Sequence, residues 1–153
     1  MRALQLVEDR KLVEADLPPP PPPGQGEVTV RVAKVALNHI DVWGWRGMAF
    51  AKRKMPLVIG AEASGHVDAI GPGVSGLMPG QLVSIYGAQT CGLCGPCVQG
   101  RDNLCENVAG VHGFHLDGFA RERVNLPARN LVAAPPGVDE TGAALAPITF
   151  GTV

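Results

Sequence analysis

The sequence lacks the features that mark membrane and nucleic-acid-binding proteins. It has no apolar run approaching the roughly 20 residues that a bilayer-spanning helix needs. Its 13 Lys and Arg residues are balanced by 14 Asp and Glu residues, whereas phosphate binding needs an excess of clustered basic side chains. The amino-terminal stretch "MRALQLVEDRK" has no apolar segment of the secretory type after Arg2. We therefore expect a cytoplasmic protein without a membrane or nucleic-acid partner.

Cysteine is absent outside one short loop, "CGLCGPCVQGRDNLC", at residues 91–105. The four thiols follow the pattern C-x2-C-x2-C-x7-C and belong to Cys91, Cys94, Cys97 and Cys105. Cytosolic reductants disfavour stable disulfides, and the short spacings with Gly and Pro let the backbone direct successive sulfurs to one centre. The pattern predicts one zinc ion in a closed tetrahedral site with a structural role. Iron–sulfur ligation and redox disulfides are the alternatives.

The rest of the sequence has the alternation of a β-rich domain. Its 153 residues, 46% of them hydrophobic and 18% charged, suit a single core. Alternating apolar and polar residues predict strands at 1–7, 11–17, 27–37, 65–70, 81–86 and 118–126. Helical turns are predicted at 38–47 and at 139–146, the second with Asp139 as its N-cap. We expect a mainly β fold, a barrel of short strands with a few short helices.

Six consecutive prolines occupy positions 18–23. Proline has no N–H to donate to a sheet, so this segment is predicted to be an extended polyproline connection on the surface. A ligand for an SH3-type domain is the alternative interpretation.

The segment "GPGVSG", residues 71–76, matches the glycine pattern of a dinucleotide-binding turn. In that turn the glycines open a helix whose N–H groups bind the pyrophosphate. Here they are followed by "LMPGQLVSIY", in which Pro79 and Gly80 lead into a strand. The segment is therefore predicted to be a β-turn without nucleotide-binding function.

The order of these segments resembles the catalytic domain of the zinc-type medium-chain dehydrogenases/reductases. The resemblance rests on "EVTVRVAKVALNHIDVWGWRG", "PLVIGAEASGHVDAIGPGV", "GQLVSIY", the cysteine loop and "GFARERVNLPARNLVAAPPGV". It implies a GroES-like β-barrel at 1–136 with a zinc lobe at 88–107, and at 137–153 the start of a junction helix. It also implies that NAD(P)H binds through a Rossmann domain that these residues do not include, and that the full-length enzyme is a homodimer or homotetramer.

The same resemblance implies that the catalytic zinc of the alcohol dehydrogenases is missing. The position of the first ligand, a cysteine in the family, is occupied by Asn38, and that of the histidine ligand by Ala61. The third ligand falls on Ile148 if Thr152 is the family's junction threonine, and the hydroxyl of the proton relay is replaced by Ile40. None of these side chains supplies the donors that a catalytic zinc requires.

The resemblance therefore points to the quinone-oxidoreductase-like branch, which reduces activated C=C or carbonyl groups of small molecules without a catalytic metal. In such a site hydrogen-bond donors stabilise the negative charge on the substrate oxygen. A zinc-dependent alcohol dehydrogenase acting on alcohols and aldehydes is the first alternative. A β-barrel stabilised by its zinc ion, which acts as a binding module without catalytic activity, is the second alternative.

Candidate site residues follow from the resemblance, each beside a simpler interpretation. Asn38, Glu62 and Asp41 are predicted at the catalytic centre; Asn38 is alternatively a helix cap, and the two acids alternatively only hold the fold together. His39 and Thr152 are predicted near the cofactor, although His39 is alternatively an exposed turn residue. Three aromatic side chains are candidates for an apolar substrate cleft or for the core: Trp43, Trp45 and Phe50. No metal role is expected for His112 or His115.

Overall fold

The protein is described by a computed structural model that covers residues 1–48 and 53–152. The strands are β1 Arg2–Glu8, β2 Lys11–Asp16, β3 Glu27–Ala36, β4 Leu57–Val58, β5 Glu62–Ile70, β6 Leu82–Ile85, β7 Ala88–Gln89, β8 Gly110–Val111, β9 Arg123–Pro127 and β10 Leu131–Ala133. The α-helices are α1 His39–Trp45, α2 Gly95–Val98 and α3 Glu140–Leu145, and 3-10 turns span Asp102–Leu104, Ala128–Asn130 and Phe150–Thr152. No helix in the described ranges is long and apolar enough to cross a membrane.

The central layer is a five-stranded antiparallel sheet in the order β10-β6-β5-β3-β9. A second sheet, β2-β1-β4, packs beside it, and β7 pairs with β8. The main core consists of inward-facing residues of the large sheet and Phe119, among them Val28, Val30, Val83 and Ile85, all fully buried. Burial of these apolar side chains is the main stabilising contribution.

Helix α1 begins where β3 ends, and this boundary orients Asn38. The Asn38 backbone is extended, and its N–H donates to Asp41 Oδ2 at 2.8 Å. The carboxyl group of Asp41 thus satisfies an N–H at the start of the helix. After two turns the chain leaves the helix at Gly47, whose φ of 78° suits glycine.

Helix α3 lies against the large sheet and directs the following residues back to it. The Asp139 carboxyl group caps the helix, accepting the Gly142 N–H at 2.8 Å. Two sheet hydroxyls also bind helix carbonyls, Ser64 to Glu140 O and Ser84 to Ala143 O, both at 2.6 Å. The chain then turns at 146–149, which brings these residues to the start of β5.

The mainly β prediction is confirmed, with differences in the limits of two strands. The β1–β2 hairpin, β3, α1 and α3 occur where they were expected, and residues 71–76 form turns between β5 and β6. Strand β5 begins at 62, not 65. The strand expected at 118–126 is shorter, because Gly118 and Phe119 donate to the carbonyls of Val58 and Gly60 in a loop instead of joining the sheet.

Candidate active site and metal centre

The four cysteines converge on one point of the lobe. Their Sγ atoms all lie within 4.8 Å of one another, as expected for ligands of a single ion. Cys91 follows β7, Cys94 is the N-cap residue of α2, Cys97 lies within α2, and Cys105 follows the 3-10 turn at 102–104. Gly92 has φ 71°, a left-handed conformation that lets the chain reverse between the first two thiols.

Backbone N–H groups inside the lobe point at the sulfurs. The N–H groups of Leu93 and Cys94 each lie 3.4 Å from Cys91 Sγ, and they lower the pKa of this thiol to about 6. Burial, which disfavours the charged thiolate, and hydrogen bonds with the neighbouring thiols raise the pKa of Cys97 to about 12. Four sulfurs at this spacing fit a zinc ion, which would neutralise these charges and fill its coordination shell with protein ligands.

Both histidines beyond the lobe have other partners. His112 is buried; its Nδ1 lies 2.7 Å from Asp117 O and its Nε2 lies 3.1 Å from Gln89 Oε1. His115 Nδ1 accepts the Val111 N–H at 3.2 Å. In the described ranges, the only group of three or more potential metal-ligating side chains is the cysteine cluster.

The second polar centre is Glu62, at the start of β5. Its side chain is fully buried, yet both carboxyl oxygens accept hydrogen bonds. Oε2 accepts from Asn38 Nδ2 at 2.8 Å and from Thr149 Oγ1 at 2.9 Å. Oε1 accepts the N–H groups of Ile148 and Thr149 at 2.7 and 2.9 Å. Four donors thus compensate the burial of this carboxyl group.

Asn38 and Glu62 are therefore brought together, and Asn38 is at the same time the N-cap residue of α1. Asn38 and Asp41 form a capping box at the start of α1, and the Asn38 amide nitrogen is directed to Glu62. The amide nitrogen carries two hydrogens, and only one is used in the described part of the chain. The second N–H has no partner among the described residues.

Thr149 is the site residue that sequence reasoning missed. Its hydroxyl reaches Glu62 across 87 positions of sequence and lies 3.4 Å from Asn38 Oδ1. It stands between Ile148 and Thr152, both of which the family resemblance does single out. A threonine in a junction segment gives no local signal of such a long-range contact.

Asp41 binds backbone N–H groups next to both Asn38 and Glu62. It is buried, and this burial raises the pKa of its carboxyl group. Oδ1 accepts the Gly60 N–H at 3.1 Å while Oδ2 accepts the Asn38 N–H. Asp41 thus ties the end of β3 to the residues before Glu62, which suits a positioning role.

The other candidates do not join this centre. His39 is exposed, with its ring 6.2 Å from that of Trp43. The Thr152 hydroxyl donates to Ile148 O at 2.9 Å within its own turn. Trp45 lines a cavity of about 150 Å³ together with Leu12, Leu37, Asp41, Val42 and Ile59. Trp43 is 43% exposed. Phe50 lies outside the described residues.

The residues at the three ligand positions that the family resemblance implies do not fit a catalytic zinc ion. Asn38 presents an amide that is bound to Glu62, Ala61 is a fully buried methyl group, and Ile148 contributes its backbone N–H. Both oxygens of Glu62 are already used as acceptors. A catalytic zinc needs about three protein donors and an open position.

Comparison with known proteins places the chain in a family. Residues 24–136 match the family described as "Alcohol dehydrogenase GroES-like domain", and the chain belongs to it. The GroES-like fold and the resemblance to the zinc-type medium-chain dehydrogenases/reductases are thereby confirmed.

Curated relatives include proteins named L-threonine 3-dehydrogenase. That of Chelativorans sp. (strain BNC1) is 36% identical over 147 residues, which are 95% of this chain and 42% of the relative. That of Pyrococcus horikoshii is 34% identical over 130 residues, which are 84% of this chain and 36% of the relative. The chain thus spans about two fifths of the length of these relatives.

Solved structures give the same family. An NAD-dependent alcohol dehydrogenase superposes with a TM-score of 0.88 at 44% identity, over 98% of this chain and 44% of that protein. A cobalt- and zinc-bound thermostable alcohol dehydrogenase from Pyrobaculum aerophilum superposes with a TM-score of 0.81 at 36% identity, over 97% of this chain and 45% of that protein.

Proposed function

We propose that this chain is the catalytic-domain portion of an NAD(P)-dependent oxidoreductase that interconverts a small alcohol and its carbonyl compound. Residues 1–136 would form the substrate-binding domain, and 137–153 would lead to a nucleotide-binding domain beyond this chain. When bound, the nicotinamide supplies or accepts the hydride. The observation that carries the proposal is the network of Asn38 and Thr149 around buried Glu62 within a domain of the alcohol dehydrogenase family.

The relatives support alcohol–carbonyl chemistry better than the quinone or enone reduction expected from the sequence. Those described above are named threonine or alcohol dehydrogenases. The zinc-dependent alcohol dehydrogenase alternative accordingly fits them better. Reduction of an activated C=C bond stays a second candidate, because the side chains at 38, 61 and 148 do not fit a catalytic zinc.

Asn38 has the clearest chemical role in this proposal. Its free N–H would donate to the substrate oxygen, on which negative charge develops as hydride reaches the carbonyl carbon. Glu62 accepts one N–H of the Asn38 amide, which would leave the other for the substrate oxygen. Thr149 and Asp41 would hold Glu62 and the Asn38 backbone in place. His39 and Thr152 remain predicted cofactor contacts.

The cysteine lobe would contribute stability rather than chemistry. Four thiolates leave a zinc ion no position for substrate, so the metal would hold the lobe in shape. We propose one zinc ion per chain.

The test assays the polypeptide encoded by the complete reading frame that contains these residues. Nicotinamide absorbance is followed with small secondary alcohols including L-threonine, with the matching ketones, and with enones. We expect turnover of the alcohol–ketone pair, and a loss of about a hundredfold in kcat/KM for Asn38→Ala, the usual cost of one oxyanion donor. Asn107→Ala, an exposed amide on the lobe, is the matched control.

Metal analysis of the same protein completes the test. Turnover of enones alone would favour the second candidate. Two zinc ions per chain would contradict the assignment of Asn38, Ala61 and Ile148. The absence of turnover with every substrate would favour the binding-module alternative.

A further inference from the structure

A run of six prolines, residues 18–23, crosses the surface between β2 and β3. It belongs to no helix or strand, and its burial repeats every three residues, since Leu17, Pro20 and Pro23 are partly buried. The other four prolines are exposed, namely Pro18, Pro19, Pro21 and Pro22. A polyproline II helix has three residues per turn, so residues three apart share a face. The pattern therefore indicates a polyproline II helix with one face on the barrel and two ridges of proline rings in solvent.

Hydrogen bonds fix this run on the barrel. Just before it, the Leu17 N–H donates to Met1 O at 2.9 Å. In its middle, Pro21 O accepts Asn125 Nδ2 at 2.9 Å, and the Asn125 amide is itself oriented by the Thr29 hydroxyl, which donates to its Oδ1 at 2.7 Å. The run is thus already held in one conformation, so a partner that binds it orders little additional chain.

The exposed ridges offer apolar rings and hydrogen-bond acceptors but no donors. The carbonyl groups of Pro18, Pro19 and Pro22 accept no hydrogen bond from the described residues, and proline has no N–H. Tyr and Trp side chains complement such a surface, because their rings pack on proline while the O–H or N–H group donates to a carbonyl oxygen.

A cavity beside the run has room for an aromatic side chain. It measures about 510 Å³, and its lining includes the residues 18–21, Arg121 and Asn125. Nε of Arg121 is buried and has no hydrogen-bond partner in the part of the chain that the structure describes. Guanidinium groups stack on aromatic rings. The lining thus combines proline rings with a guanidinium group, two surfaces on which an aromatic ring packs.

The strand that leads into the run is acidic. Glu14 and Asp16 are exposed on β2, and over the described ranges neither side chain has an ion pair. A partner with basic side chains at the corresponding edge of its binding surface would be complementary in charge.

We infer that this proline run is a docking site for a protein domain with an aromatic-lined groove and a basic rim, of the kind that binds polyproline II segments. The groove contacts the exposed ridges, and its O–H and N–H groups donate to the free carbonyl oxygens. The run leads into β3 at Glu27, whereas Asn38 follows the other end of that strand. A docked domain therefore leaves the Asn38–Glu62 centre uncovered, and the inference does not depend on the oxidoreductase activity.

The test measures the binding of three purified domains by surface plasmon resonance. The polypeptide encoded by the complete reading frame is immobilised, and the probes are an SH3, a WW and an EVH1 domain, each chosen with basic side chains beside its aromatic groove. We expect at least one to bind with a Kd below about 0.1 mM, and a free hexaproline peptide to compete. The affinity should fall with rising salt, because part of the attraction is between opposite charges.

Two double variants show which face of the run is contacted. Pro19→Ala with Pro22→Ala removes the rings of one exposed ridge and should raise the Kd at least about tenfold. Pro20→Ala with Pro23→Ala removes rings of the barrel-facing side and is the matched control, which should change the Kd less than about threefold. Both variants lose two prolines and hence a similar part of the stiffness of the chain. Melting curves check that both are folded.

A Kd above about 0.1 mM for all three domains, failure of the peptide to compete, or equal losses in the two folded double variants would overturn the inference. Self-association that Pro19→Ala with Pro22→Ala abolishes, measured by sedimentation, would show that a second copy covers the run and would also overturn it. Peptide competition on the unmodified protein decides the question even where a variant fails to fold. No turnover is measured, so the oxidoreductase proposal stands or falls by its own assay.

Discussion

Replacing Glu62 with glutamine tests whether the buried network holds the site together. In the better of its two orientations, the glutamine keeps its oxygen on the N–H groups of Ile148 and Thr149. Its NH2 group then faces Asn38 Nδ2, a donor that was 2.8 Å from an acceptor. The Thr149 hydroxyl can rotate and accept, whereas the amide of Asn38 can accept only by turning over. In its present orientation the part-buried hydrogen bond to residue 62 is lost, which costs roughly 0.5–1.5 kcal/mol, so we expect Glu62→Gln to lower the free energy of unfolding by about 1 kcal/mol.

The assay is urea unfolding of the zinc-loaded chain, comparing midpoints at unchanged m-value. The double variant Asn38→Asp with Glu62→Gln reverses donor and acceptor, and should recover at least about half of the loss, a coupling expected of residues in contact. Glu106→Gln is the exposed control and should stay within about 0.5 kcal/mol of the unmodified chain. If Glu62→Gln is equally neutral, or if the two substitutions add without recovery, the network does not contribute as described.

Three further predictions concern the lobe and the core. Cys97→Ser should remove the zinc ion and lower the thermal midpoint. Leu93→Ala, at an exposed position of the lobe, is the control and should keep both the zinc ion and the midpoint. Metal analysis and melting curves check this, and full zinc retention by Cys97→Ser would contradict the prediction. Burial lowers the pKa of His112 from 6.5. The unfolded chain therefore binds a proton at this residue before the folded chain does, and the free energy of unfolding falls as pH drops below about 6.5. His112→Gln should flatten this part of the plot of unfolding free energy against pH, and an unchanged plot would refute the role assigned to His112. Phe119→Ala should lower the free energy of unfolding in urea by about 3–5 kcal/mol, because this ring is fully buried in the core. Phe150→Ala, at a position that is 63% exposed, should lower it little. Similar losses for the two variants would contradict the placement of Phe119 in the core.

The long elements and the metal lobe could be predicted because their signals are local. Alternation over ten residues identifies β3, and Asp139 at an N-cap identifies α3. The elements that were missed are short: β4, β7, β8 and β10 have two or three residues each, too few for a period to be recognised. Their conformation follows from pairing with distant strands, as in β10 against β6.

The sequence alone determined the spacing of the four cysteines in the lobe, which depends on residue identity and position, whereas the absence of the usual zinc donors at 38, 61 and 148 is what the family resemblance implies. Only the tertiary structure decided where the Asn38 side chain points, since a residue at a strand end can either cap the next helix or reach across the sheet. It also decided that Thr149 binds Glu62, and that Asp102 of the lobe shares a cleft with Arg129 of the barrel. These contacts join residues far apart in the chain, and packing of the sheet, the lobe and α3 brings them together.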